Sequence, residues 1–146
     1  MNQGMYSSLT AEWATPDWLF EALNNEFGFT LDVCATANNA KCADYYSVDS
    51  LDRPWHGVCW MNPPYGRVIG NWLRKAYLSA QDGATVVCLI PSRTDTRWWH
   101  NYVMKSNDIR FIKGRLKFGD AVNSAPFPSA IIVFTASPSG KVLENE

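Results

Sequence analysis

Short apolar runs, separated by segments with helical spacing, constrain what this chain can fold into more than any other feature. The runs are Phe29–Cys34, Val58–Met61, Ala84–Ile90, Ile109–Ile112 and Ala130–Phe134. Each has strand length and is almost continuously apolar, as strands covered on both faces are. Between the second and third runs, Val68, Ile69, Trp72, Leu73, Ala76, Tyr77 and Ala80 recur at helical spacing. An earlier helix is predicted from Thr15-Pro16: Thr15 can cap it, Pro16 suits the first turn, Asp17 and Glu21 favour that end, and Gly28 stops it. Asp95–Met104 reads as a further helix, with Thr94 or Asp95 as its cap. Ala35–Asp44 reads as a loop or short helix, and Tyr45–Val48 as a short strand. The alternation predicts a doubly wound α/β sheet, in which ligands bind beyond the carboxyl ends of the strands. Asp32 and Asn62 both fall near such ends.

A length of 146 residues suggests a single domain, 1–146, with its core from about 13 to 136. The hydrophobic fraction of 47% is enough for a core, and 18% charged residues argues against disorder. A formal net charge of -1 excludes a global basic field, so any nucleic-acid contact must come from a local patch. Such a patch exists in the second half: Arg93, Arg97, Lys105, Arg110, Lys113, Arg115 and Lys117. Met1–Thr10 is polar, and no run approaches the roughly 18 apolar residues of a membrane span. The reading expects a cytoplasmic protein with no signal peptide and no membrane contact. Cys34, Cys42, Cys59 and Cys88 form no CxxC pair, and are expected as reduced core residues without a metal.

The tetrapeptide Asn62-Pro63-Pro64-Tyr65 directly follows an apolar run. It resembles the signature of methyltransferases acting on exocyclic amines, the N6 of adenine or the N4 of cytosine. The chemistry accounts for those residue types. An exocyclic amine is a poor nucleophile because its lone pair is delocalised into the ring. An Asn side-chain carbonyl and the backbone carbonyl of Pro63 can accept its two hydrogens and favour a pyramidal nitrogen. That is positioning and electrostatic stabilisation, with no titrating base required. The proline pair holds the carbonyls rigidly, and Tyr65 offers a ring to a flipped base, worth about 1–3 kcal/mol. Taken alone, the four residues also describe a Pro-Pro turn capped by Asn and packed by Tyr. The place directly after a buried strand favours the catalytic reading.

Leu31-Asp32-Val33-Cys34-Ala35 stands where such enzymes hold S-adenosyl-L-methionine. Asp32 could take the ammonium of the methionine moiety, or cap the following turn. The usual Gly-x-Gly is absent; Cys34, Ala35, Thr36 and Ala37 replace it with small but less permissive residues. Asp49 or Asp52 could meet the ribose hydroxyls or the cofactor's adenine amine. Asp32 and Asn62 are only 30 positions apart (62 − 32), so the cofactor half is expected to be abbreviated, by about one strand.

The likeness extends over about Thr15–Phe134. It includes Thr15-Pro16 with Trp18-Leu19, Asn39-Ala40-Lys41-Cys42, Thr94-Asp95-Thr96 with Trp98-Trp99, Ile112–Leu116 and Pro126–Ser129. On these residues the chain resembles the phage and prophage Dam-type DNA N6-adenine methyltransferases. The resemblance implies a Rossmann-like sheet, mostly parallel with an antiparallel last strand. It also implies transfer of a methyl group from S-adenosyl-L-methionine to adenine N6 in DNA, and a phage or prophage origin in a bacterial host. The implied catalytic group is Asn62, Pro63, Pro64 and Tyr65. The implied cofactor residues are Thr15, Pro16, Trp18, Asp32, Cys34, Ala35, Asp49 and Asn62. Basic and hydroxyl residues on the same rim, Arg93, Thr94 and Arg97, with Arg115 and Lys117 in the last long connection, suit DNA phosphates. The chain is too short for a visible target-recognition domain, so specificity is low, supplied by loops, or supplied by a second subunit in a homodimer. Two other readings share these motifs: a methyltransferase on RNA or single-stranded nucleic acid, and a catalytically decayed nucleic-acid-binding module, which the missing glycines would suit.

Overall fold

The computed structural model describes residues 14–136; the expected core start at residue 13 and the polar segment Met1–Thr10 lie outside them. Five strands, β1 (Leu31–Asp32), β2 (Val58–Met61), β3 (Thr85–Pro91), β4 (Asp108–Phe111) and β5 (Ser129–Phe134), form one sheet in the order β1-β2-β3-β5-β4. The first three are mutually parallel, and β5 runs antiparallel between β3 and β4. This is the mostly parallel mixed α/β sheet expected, with its antiparallel last strand.

The apolar runs are continuous because both sheet faces are covered. Cys59, Met61, Val86, Cys88, Ile90, Ile132 and Phe134 pack with Leu73 and Ala76 of α2 (Ile69–Gln81). The alternate residues Trp60, Val87, Leu89, Ile131 and Val133 pack with Leu19, Phe20 and Leu23 of α1 (Asp17–Phe27). The period-two alternation of strand side chains divides each run between the two layers.

Helix α1 starts differently from the expectation. Thr15 does not cap it; the Pro16 carbonyl accepts the N–H groups of Leu19 and Phe20 at 3.2 and 3.1 Å, and no side chain caps this end. Gly28 closes the helix in the left-handed conformation, φ 70°, donating its N–H to Asn24 O; only glycine adopts this without a Cβ penalty. Helix α3 (Arg97–Asn101) is shorter than predicted and gives way to a 3₁₀ turn at Val103–Lys105, because Tyr102 leaves helical geometry at φ −124°. Its cap is Thr96, whose Oγ1 accepts the Trp99 N–H at 3.2 Å, and neither Thr94 nor Asp95 takes that place.

The connection from β1 to β2 is abbreviated, as the 30-position spacing predicted. Among the described residues, only turns and one 3₁₀ turn (Ser50–Asp52) connect β1 to β2. The strand expected at Tyr45–Val48 is reduced to one parallel bridge, Tyr45 to Asp32. The connection from β4 to β5 is irregular but packed. Leu116, Phe118, Ala125 and Phe127 enter the α1-side core, and Arg115 and Lys117, on either side of Leu116, stay exposed. No helix among the described residues is long and apolar enough to cross a membrane.

Candidate active site

Strands β1, β2 and β3 run parallel, so their carboxyl ends share one rim. Asp32 ends β1, Asn62 follows β2, and Pro91 ends β3. Each motif identified in the sequence therefore arrives at one edge of the sheet.

Asn62 is held from both ends of its amide. Its Nδ2 donates to Thr15 Oγ1 at 3.0 Å, and its Oδ1 accepts from the Tyr65 hydroxyl at 2.9 Å. The same hydroxyl lies 3.3 Å from the carbonyl oxygen of Leu89 in β3. Thr15 thus reaches the tetrapeptide across 47 positions of sequence, which a helix-capping role would not have required. The Tyr65 ring packs edge-on against Phe127 at 5.7 Å, and desolvation raises its phenol pKa, keeping it neutral. An amide oxygen has two acceptor lone pairs, so accepting from Tyr65 is compatible with accepting an amine hydrogen.

Asp32 is 2% exposed. Its Oδ1 accepts the backbone N–H of Cys34 at 3.1 Å and its Oδ2 that of Lys41 at 3.0 Å. These bonds tie the Cys34 and Lys41 ends of the turn that follows β1 to its last residue. Burial pushes the Asp32 carboxyl up to about 6, against the opposing pull of the two N–H groups and the Lys41 charge. Burial also pushes the thiols of Cys34 and Cys42 up to about 12 and about 11, so both stay neutral and unreactive. Among the described residues, no group of three or more His, Cys, Asp or Glu could hold a metal ion.

Two clefts flank the Asn62–Tyr65 hydrogen bond, one lined by Asn62 and the other by Tyr65. The first, about 200 Å³, is polar and is lined by Ala14, Thr15, Asp32, Cys34, Asn38, Asn39, Lys41, Trp60 and Asn62. The second, about 590 Å³, is largely apolar and cationic, with Tyr65, Arg67, Pro91, Arg93, Trp98 and Phe127 among its walls. In it the Arg93 guanidinium lies 5.8 Å from the Phe127 ring centroid. The tryptophan pair divides as adjacent helical residues must: Trp99 enters the core and Trp98 lines this cleft.

The structure brings Thr15, Asp32, Cys34 and Asn62 together in the first cleft. Pro16, Ala35 and Asp49 are not among its lining residues, and Trp18 is 61% exposed on α1. Asp49 leads into the Ser50–Asp52 turn with φ 54°, alone among the described non-glycine residues in having a positive φ. Arg93 lines the second cleft. Thr94 and Arg97 are exposed near it in sequence, and the Thr94 carbonyl lies 2.8 Å from His100 Nε2. Sequence reasoning did not assign Asn38, Asn39, Lys41 or Phe127 to a site. The signal for the first three was the small, polar composition after Asp32; for Phe127 it was an aromatic between two prolines, directly before a strand.

Residues 5–136 match the family described as DNA N-6-adenine-methyltransferase (Dam). A protein of Haemophilus phage HP1 (strain HP1c1), named DNA N-6-adenine-methyltransferase, is 31% identical over 84% of this chain and 77% of its own length. A protein of Escherichia coli (strain K12), named "Putative methyltransferase YfdM", is 39% identical over 37% of this chain and 70% of its own length.

Proposed function

The chain belongs to the DNA N-6-adenine-methyltransferase (Dam) family, and on that premise we propose that it transfers the methyl group of S-adenosyl-L-methionine to the N6 amine of adenine in DNA. The observation that carries this reading is the pair of clefts flanking the Asn62–Tyr65 hydrogen bond. The polar cleft suits the amino-acid end of the methyl donor, because it holds a buried carboxylate beside a lysine. The apolar cleft suits a flat base, because aromatic and proline surfaces wall it. The tetrapeptide stands where the two would meet.

When bound, S-adenosyl-L-methionine supplies an electrophilic methyl on a sulfonium. The protein's part is placement. Asp32 and Thr15 line the donor's cleft, with Cys34 and Ala35 in the adjoining turn. Asp49 or Asp52 would serve the donor's nucleoside, with Pro16 and Trp18 more remote from the cleft. Asn62 Oδ1 and the Pro63 carbonyl accept the two hydrogens of the adenine amine and direct its lone pair toward the methyl. Pro64 stiffens that turn. Tyr65 stacks on the flipped base, with Phe127 and Trp98 as further walls. Arg93, Thr94, Arg97, Arg115 and Lys117 contact phosphates. The substrate class is tested by offering labelled S-adenosyl-L-methionine with unmethylated duplex DNA and with RNA of the same sequence. Label in the DNA supports the reading; label in the RNA alone replaces it with an RNA methyltransferase.

Tyr65 carries two separable contributions, its ring and its hydroxyl. Tyr65→Phe keeps the ring and loses the bond that holds Asn62. We expect kcat to fall about 2- to 10-fold, the size of one ordinary hydrogen bond, with KM for DNA unchanged. Tyr65→Ala also loses the stacking surface and should lower kcat/KM by about 10- to 100-fold more. Steady-state methylation of the two variants checks this. A Phe variant as inactive as the Ala variant would contradict the stacking role.

A further inference from the structure

The polar cleft carries both signs of charge. Asp32 supplies the negative one from its floor. The positive one comes from Lys41, whose side chain is 20% exposed and which lines the same cleft. Yet the Lys41 ammonium is not spent on Asp32. The backbone N–H of Lys41 satisfies Asp32 Oδ2 at 3.0 Å, while its Nζ pairs with Asp17 Oδ1 at 3.2 Å. The Asp17 carboxylate is 86% exposed, so this pair is screened by solvent and weak. Lys41 Nζ also lies 5.9 Å from the Phe20 ring centroid. A ligand carboxylate inside the cleft would meet Lys41 in a less solvated setting than Asp17 does, and would displace Asp17 at little cost.

A buried carboxylate bound only by backbone N–H groups and a lysine held only by a weak exposed pair line one small cleft, and together they match a group that carries both charges on one carbon. We propose that Lys41 is the carboxylate anchor of this cleft and Asp32 its ammonium anchor. Together they read the zwitterionic amino-acid end of S-adenosyl-L-methionine. The inference rests on the methyl-donor reading above and adds to it a binding residue. The geometry also explains how the turn dispenses with Gly-x-Gly: Asp32 draws residue 41 inward by its backbone, and the same residue brings the complementary charge.

The test is calorimetry on the full-length protein with two nucleosides. S-Adenosylhomocysteine carries the amino-acid terminus; 5′-methylthioadenosine is the same thioether nucleoside without it. Lys41→Gln should weaken S-adenosylhomocysteine by about 10- to 100-fold, the effect of one charged hydrogen bond, and leave methylthioadenosine within about twofold. Lys41→Met, which keeps an apolar stem, should behave alike, with an unchanged melting temperature. Asp17→Ala should bind S-adenosylhomocysteine as well as wild type or better. Equal losses for both nucleosides, or no loss for S-adenosylhomocysteine, would overturn the assignment of Lys41. A wild-type protein that binds neither nucleoside would overturn the methyl-donor reading along with it.

Discussion

Replacing Asn62 by alanine is expected to lower the rate of methyl transfer by about 100- to 1,000-fold, the usual effect of removing one preorganised polar group at the reacting atom. S-Adenosylhomocysteine affinity should change by only a few-fold. Asn62 is one of several residues lining the polar cleft, and the charges that would hold the amino-acid end come from Asp32 and Lys41. The fold should tolerate the change. The truncation leaves the hydroxyls of Thr15 and Tyr65 without their amide partner, and Tyr65 can turn to the Leu89 carbonyl, already 3.3 Å away. Single-turnover methylation and calorimetry on the same preparation separate the two quantities. Near-wild-type turnover would remove Asn62 from the chemistry and return Asn62–Tyr65 to a structural turn.

Asp32 is expected to show the second large effect, divided between two substitutions. Asp32→Ala leaves the N–H groups of Cys34 and Lys41 unpaired, and each such loss costs about 1–3 kcal/mol. It should therefore lower both stability and affinity. Asp32→Asn keeps one acceptor oxygen for the turn and removes the charge. It should weaken S-adenosylhomocysteine by at least about tenfold, as loss of a charged hydrogen bond does, while the ligand-free melting temperature falls less than in Asp32→Ala, because only one N–H loses its acceptor. An Asn variant that binds like wild type would leave Asp32 a turn-forming residue only.

The same carboxylate sets a pH dependence. Its folded-state pKa is raised, to about 6, chiefly by desolvation. A raised carboxyl means that the folded chain holds a proton that the unfolded chain has released. The associated stability is complete below the unfolded value, near 4, and is lost as pH rises through about 6. Two units correspond to about 3 kcal/mol. A ligand ammonium favours the ionised form, so binding runs the other way. S-Adenosylhomocysteine affinity should rise with pH up to about 6 and then level off, with an accompanying proton release that calorimetry in two buffers detects. Asp32→Asn should flatten this profile.

Much of this was legible in the sequence because it is local. Apolar runs bounded by Gly and Pro gave the strands, and their continuity showed that both faces are covered. The 30-residue gap between Asp32 and Asn62 foretold the abbreviated connection from β1 to β2. What stayed hidden depends on contacts far apart in the chain. Thr15 read as a cap because Ser and Thr before a helix usually are caps; its bond to Asn62 exists only once α1 packs under β2. Thr96, not Thr94 or Asp95, caps α3, a shift of one or two residues that no local preference separates. Lys41 escaped assignment because nothing in a polar loop shows which backbone N–H will turn toward a buried carboxylate. Phe127 sits in an irregular segment with no periodicity to reveal that it is buried against Tyr65.

The proposed chemistry turns on Asn62 directing an adenine amine. Unmethylated duplex DNA, incubated with the protein and S-adenosyl-L-methionine and then digested to nucleosides, tests it most directly by mass spectrometry. N6-Methyl-2′-deoxyadenosine is expected as the modified nucleoside, with the Asn62→Ala variant giving at most about one hundredth of it. N4-methylcytosine in its place, or no modified base from a protein that binds the methyl donor, would contradict it.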